Sequence, residues 1–151
     1  MTGVLPTPME QALLEAEAAA ARGEVPVGAV ITNAAGDVIA SDGNRMRERL
    51  DPTAHAEVLV IRETSKILGE LRLTDCDLYV TLEPCPMCAA AISFARIRRL
   101  YYGASDPKSG AVDHGPRLFH TNTCHHAPEV YGGLAERRAA RLLLDFFKSR
   151  R

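Results

Sequence analysis

Tryptophan is absent from the 151 residues and aromatic side chains make up only 5% of them, so the core must rest on aliphatic packing. No apolar run approaches the roughly 20 residues that a membrane-spanning helix needs. The N-terminal MTGVLPTPMEQ also lacks the basic start and apolar stretch of a secretory signal. A dominant charge sign is missing as well: 18 Lys and Arg face 19 Asp and Glu, for a net charge of -1. That balance excludes a global field drawing the protein toward polyanions, and leaves only local patches to consider. Arg45, Arg47 and Arg49 form one such patch and Lys148, Arg150 and Arg151 another. From charge alone both read as solvated surface.

Cysteine is scarce, with Cys76, Cys85, Cys88 and Cys124 the only four. The expected location is the reducing cytoplasm, where a Cys-x-x-Cys pair reads as metal-binding or redox-active rather than as a structural disulfide. A chain of this length buries roughly 68–70% of its unfolded surface and needs no covalent staples. The expectation is therefore a single domain spanning 1–151, with no repeat or linker dividing it.

Thr7-Pro8-Met9-Glu10 has the chemistry of a helix start, with Thr7 as cap and Pro8 at the first helical position. The alanine-rich run 9–22 then favours helix until Gly23. Residues 25–32 are β-branched and apolar, 33–37 carry turn chemistry, and 38–41 read as the returning strand of a hairpin. A charged loop is expected over 45–52, and a second helix from His55 through Ile67. A strand follows at 77–82, a third helix at 85–96 and another strand at 99–103. The segment 104–128 is irregular, with room for one short helical turn. A brief strand near 129–132 and a last helix over 134–148 complete the chain. Strands alternating with helices predict an α/β fold with helices on both faces of one sheet.

Two motifs carry chemistry: His55-Ala56-Glu57, and Pro84-Cys85-Pro86-Met87-Cys88 thirty positions on. Cysteines at i and i+3 at the start of a helix point their sulfurs the same way. The positive end of that helix favours their thiolates. His55 can add a nitrogen if the two helix N-termini face each other, completing a soft donor set suited to zinc. Three protein ligands leave one tetrahedral corner for water, which zinc acidifies to a pKa of about 7. Glu57 is then placed to move protons beside that water rather than to occupy the corner. Two competing readings exist: a structural zinc site closed by Cys124, His125 or His126, and a thioredoxin-like redox pair. The second leaves His55 and Glu57 without a role.

The pattern H-x-E…P-C-x-x-C resembles the signature of the cytidine/adenosine deaminase superfamily. Around it, EVPVGAV (24–30), Gly43-Asn44-Arg45, DPTAHAE (51–57), LYVTLEPCPMC (78–88), YYGASDPKSG (101–110) and DFF (145–147) are similar to the bacterial tRNA-specific adenosine deaminases. The resemblance covers nearly the whole chain. It implies a three-layer cytidine-deaminase-like fold, with a central mixed five-stranded sheet flanked by helices. It also implies one Zn2+ per subunit, a homodimer, and a tRNA anticodon stem-loop as partner. The implied reaction is hydrolytic deamination of adenosine to inosine at the wobble position. Water activated by zinc attacks C6 of adenine, and Glu57 shuttles the protons.

Further roles come from the same resemblance. Asn44 would bond the flipped base or its ribose, with turn chemistry as the plain alternative. Asp106 and Lys108 would touch the RNA backbone. Phe146, Phe147 and Arg150 would meet the anticodon loop, one of the two phenylalanines stacking on a base while the other closes the core. Val27 and the backbone around Leu82 and Glu83 would line the pocket. The stretch 112–131 departs from the family and receives no function. The nearest rival is guanine deaminase, or another deaminase of free bases or nucleosides, because the motif chemistry is identical. Asp106-Pro107-Lys108-Ser109-Gly110 and the DFF ending favour the tRNA enzyme. A catalytically silent RNA-binding subunit would lack the acid/base carboxylate, and Glu57 is present. The run Ala89-Ala90-Ala91-Ile92 is a candidate dimer face that could equally pack inside one subunit.

Overall fold

The structure, a computed structural model, describes residues 7–150. Arg151 of the second basic patch lies outside them. Element order is α1 (Pro8–Ala21), β1 (Gly28–Thr32), β2 (Val38–Gly43), α2 (Met46–Arg49), α3 (Ala56–Leu68), β3 (Asp77–Leu82), α4 (Pro86–Ala95), β4 (Arg99–Ala104), a 3-10 turn at Leu118–His120, β5 (Glu129–Tyr131) and α5 (Glu136–Lys148). The strands form one mixed sheet in the order β2-β1-β3-β4-β5. β1 pairs antiparallel with both β2 and β3, while β3, β4 and β5 run parallel. Among the described residues no helix is long and apolar enough to cross a membrane.

Two-residue alternation distributes the strand side chains to the two faces of the sheet. Ala29 and Ile31 of β1, Leu78 and Val80 of β3, and Leu100 and Tyr102 of β4 join one core cluster with Ala56 and Val60 of α3 and Ile92 and Ala95 of α4. Val30 faces the other way, onto Met9 and Ala12 of α1, with Tyr79 and Tyr101 alongside. α5 packs on that second face, where Ala139 meets Leu13 and Ala104. β1 is thus covered on both sides, and all five of its residues are buried.

The alanine content of α1 has a steric purpose. Ala12, Ala16 and Ala19 form its inward stripe, and small side chains let the helix lie almost on the backbone of β1. At Gly28 a Cβ would stand 1.9 Å from the carbonyl oxygen of Ala12 and 2.6 Å from the amide nitrogen of Ala16. Only glycine permits that approach. Thr7 caps the helix as its sequence suggests, its hydroxyl accepting the Glu10 N–H at 3.2 Å.

The returning strand read as 38–41 runs on to Gly43, and three further differences from the sequence reading have a clear physical reason. The strand expected from residue 25 begins at Gly28, because Pro26 has no N–H and the Val27 N–H bonds locally to the Val25 carbonyl at 2.8 Å. The expected loop over 45–52 contains α2, nucleated from far away in sequence. The buried Glu24 carboxylate accepts the N–H groups of Arg47 at 3.1 Å and Glu48 at 2.9 Å. α5 starts at Glu136 rather than 134, since the N–H groups of Gly133 and Leu134 are still bonded to the carbonyls of Gly103 and Tyr102.

Candidate active site

β3 ends at Leu82 and α4 begins at Pro86, so Cys85 sits at the N-cap of α4 with Cys88 one turn inside. His55 is the N-cap of α3. Neither N-cap residue uses its side chain to cap its own helix. For α3 that duty falls to Asn44, whose Oδ1 accepts the Ala56 N–H at 2.9 Å. The His55 ring is thereby left for other work. Its Nδ1 stands 3.6 Å from the Cys85 sulfur and 3.4 Å from the Cys88 sulfur.

Those separations test the metal directly. Zinc bonds of about 2.3 Å to sulfur and about 2.0–2.1 Å to nitrogen, at tetrahedral angles, put the two donor atoms about 3.5 Å apart. The observed spacing fits one zinc ion. Among the described residues His55, Cys85 and Cys88 form the single group of three or more such donors with all atoms within 4.8 Å of one another. Of the alternative fourth ligands, His125 is not part of this donor group, and Cys124 and His126 are engaged elsewhere. Cys124 contacts the Ser93 hydroxyl at 3.4 Å and the His126 carbonyl at 3.1 Å, and the His126 ring bonds the Ile97 carbonyl at 2.7 Å.

The two thiols are strongly coupled: the hydrogen bond to Cys85, together with burial, pushes Cys88 up and holds it as a thiol. Hydrogen bonding from Cys88, and then from His55, pulls the Cys85 thiol down to about 4 against the opposing effect of burial. The hydrogen bond to Cys85 raises His55 above its ordinary value. Glu57 lies in the first turn of α3, 4% exposed. Burial pushes it up to about 7, so it holds a proton far more tightly than a solvated carboxylate.

A cavity of about 170 Å³ opens beside these groups, lined by Val25, Val27, Asn44, Met46, His55, Glu57, Leu82, Glu83, Cys85, Asp106 and Ser109. It lies beyond the C-terminal end of β3, the usual place for a ligand in an α/β sheet. Larger hollows elsewhere, such as the one between α1 and the arginines of α5, contain none of this chemistry.

A family model described as "Cytidine and deoxycytidylate deaminase zinc-binding region" matches residues 6–104, which include His55, Glu57, Cys85 and Cys88. The chain belongs to that deaminase family. A tRNA-specific adenosine deaminase of Agrobacterium fabrum is 62% identical over 143 residues, 95% of this chain and 93% of the relative. A solved structure from work on A-to-I editing by tRNA:A34 deaminases at the wobble position of transfer RNA superimposes with a TM-score of 0.88 at 63% identity, covering 90% of this chain and 98% of that one. Guanine deaminase from Bacillus subtilis is more distant, at a TM-score of 0.63 and 31% identity over 95% of this chain and 92% of its own. The mixed five-stranded sheet is the expected deaminase architecture.

Of the residues singled out from sequence, Asn44, Val27, Leu82 and Asp106 meet His55, Cys85 and Glu57 around this cavity. Lys108, Phe146, Phe147 and Arg150 are not part of its lining. Lys108 is exposed on the loop after β4. Phe146 is buried, with the Arg150 guanidinium 3.8 Å above its ring, and Phe147 is 51% exposed, edge-on to Phe146. In the candidate dimer run, Ala89 and Ile92 are buried inside the subunit, whereas Ala90 and Ala91 are only partly covered.

Val25, Met46 and Ser109 join the lining without a signal in the motifs, and the part played by the Glu83 side chain is equally hidden. Met46 depends on α2, which local sequence does not announce. Glu83 sits inside the motif, but its partners lie 23–31 residues downstream. The Asp106 Oδ1 accepts the N–H groups of Lys108 at 3.2 Å and Ser109 at 3.0 Å, a turn-building role.

Proposed function

We propose that this deaminase converts adenosine to inosine at the wobble position of a tRNA anticodon, acting as one domain over 1–151. The observation that carries the chemistry is a buried carboxylate, Glu57, on the wall of the same cavity as His55 and Cys85. The 62% identity to a tRNA-specific adenosine deaminase over 95% of the chain supports the substrate.

His55, Cys85 and Cys88 would hold a zinc ion, which when bound would supply the Lewis acidity that makes a water molecule a source of hydroxide near neutral pH. Glu57 takes the proton that this water loses as its oxygen attacks C6, and delivers it to N1 of the purine. A second transfer through Glu57 goes to the departing amino group, which leaves as ammonia. With its Oδ1 committed to Ala56, Asn44 presents its amide N–H groups to the base or ribose. Val27 and Leu82 supply the apolar walls, and Asp106 and Lys108 sit on the loop where an RNA backbone enters.

Phe147 is the exposed member of its pair and the better placed to stack on a base, a contact of about 1–3 kcal/mol. Phe146 closes the core and orients Arg150. A homodimer is supported by the partly covered Ala90 and Ala91 together with Phe94, an 82% exposed aromatic on the same helix. A tRNA substrate makes the cytoplasm its place of work.

The test is turnover of an anticodon stem-loop bearing adenosine at the first anticodon position, read as inosine by mass spectrometry. Deamination of that RNA and not of free guanine is the expected result. Turnover of guanine without the RNA would transfer the chain to the second reading, which the likeness to guanine deaminase favours.

A further inference from the structure

Three buried carboxylates, Glu24, Asp77 and Glu83, have no part in the chemistry above; Asp77 is paired with the Arg98 guanidinium. Glu24 is accounted for by α2. Glu83 is 2% exposed and collects an unusual number of donors. Its Oε1 accepts the Asp106 N–H at 3.0 Å and faces the His114 Nδ1 at 2.7 Å. Its Oε2 accepts the N–H groups of Val112 at 3.2 Å, Asp113 at 3.0 Å and His114 at 3.1 Å. All five donors belong to the segment after β4, which bends around the carboxylate as a shell. The shell is tight: at Gly110 a Cβ would come within 2.6 Å of the Glu83 carboxylate. The Pro84 carbonyl adds a further tie by accepting the Ala111 N–H at 2.9 Å.

The same loop contributes Asp106 and Ser109 to the lining of the cavity, together with the apolar residues Val25 and Val27. Residues 106–114 contain no helix or strand. Their backbone therefore gains order from whatever accepts its N–H groups, and a buried amide without an acceptor is costly.

We propose that Glu83 is a positioning residue for the deamination: its carboxylate is the hub on which the 106–114 loop is assembled, and it thereby sets the cavity wall formed by Asp106 and Ser109. The proposal rests on the reading of this cavity as the substrate site. Every hydrogen-bond partner of the Glu83 carboxylate belongs to this loop, so it acts through the loop. Its effect belongs in substrate binding rather than in the chemical step.

Glu83→Gln keeps the shape and turns one oxygen into an NH2 group. Whichever way the amide faces, donors of the loop then meet a donor. The experiment measures amide hydrogen exchange by mass spectrometry, bound zinc, and kinetics on the anticodon stem-loop, all on the zinc-loaded protein. Exchange over 106–114 is expected to rise about tenfold or more, the equivalent of losing one charged hydrogen bond. Exchange over α3 and α4 stays as in the parent, and one zinc per chain is retained. KM should rise about tenfold while kcat changes by less than about threefold. Glu83→Asp, which keeps both oxygens on a shorter arm, should recover part of the KM.

His114→Ala removes donors from a half-exposed ring and leaves the carboxylate in place. It keeps the test open should Glu83→Gln fold poorly, and a smaller rise in loop exchange and KM is expected. Unchanged loop exchange, loss of zinc, or a fall in kcat at constant KM would each overturn the proposal. If the parent protein is inert on the RNA, the proposed substrate fails, while the exchange result still decides whether Glu83 holds the loop.

Discussion

Replacing Glu57 by glutamine should stabilise the zinc-free protein at pH 8, although it removes the group that moves protons. The native carboxyl titrates near 7 because it is buried, against an ordinary value of 4.5. Each pH unit between those values corresponds to about 1.4 kcal/mol. The folded state therefore carries a penalty of about 3 kcal/mol once this group is ionised in both states. The sign follows from the raised value. Stability associated with the protonated carboxyl is fully present below pH 4.5 and is lost as pH rises through about 7. Glutamine is neutral throughout and escapes the loss.

Urea unfolding of both proteins in the presence of a chelator, at pH 5, 6, 7 and 8, reads the difference. The variant should be more stable by about 3 kcal/mol at pH 8, with the gap shrinking below about 1 kcal/mol at pH 5. Loading zinc should narrow the gap at pH 8, because a nearby cation favours the ionised carboxylate. The zinc-loaded variant should bind the metal and fail to turn over. A parent protein as stable as the variant at pH 8, or a gap that widens toward acid, would refute the assignment of Glu57 to a desolvated site.

Other perturbations separate the remaining parts of the account. Gly28→Ala forces a methyl against the Ala12 carbonyl and should cost about 3 kcal/mol or more by urea unfolding, with zinc stoichiometry in the surviving folded fraction unchanged. Asn44→Ala leaves the buried Ala56 N–H without its acceptor and should destabilise by about 1–3 kcal/mol. It should also weaken zinc binding in a competition assay, because Ala56 lies between His55 and Glu57. Cys88→Ala should lose both zinc and activity, and a fully active variant would contradict the ligand set.

Much of this was legible in the chain because the decisive signals are local. Pro84-Cys85-x-x-Cys88 announces a helix start with two sulfurs on one side, and β3 follows the expected residues 77–82. The hairpin turn is written in Asn33, whose Oδ1 accepts the N–H groups of Ala35 and Asp37. What escaped depends on contacts between distant segments. α2 exists because Glu24 caps it from more than twenty residues upstream. The loop that walls the cavity depends on Glu83 in the same way. Asn44 reads from sequence as a contact to the base or ribose, with a turn as the alternative, and its role as the external cap of α3 appears only when β2 and α3 meet. Phe146 and Phe147 are adjacent and chemically identical. Their opposite exposures follow from the rotation of α5 against the sheet, which single-residue chemistry does not reveal.

X-ray absorption at the zinc edge reads the donor set of the bound metal itself. The account predicts one zinc per chain with two sulfurs at about 2.3 Å and two lighter donors at about 2.0–2.1 Å, one a histidine nitrogen and the other exchangeable with solvent. Loss of one sulfur in Cys88→Ala should accompany the fall in metal content. A third sulfur shell, or a second histidine closing the tetrahedron in the native protein, would contradict it.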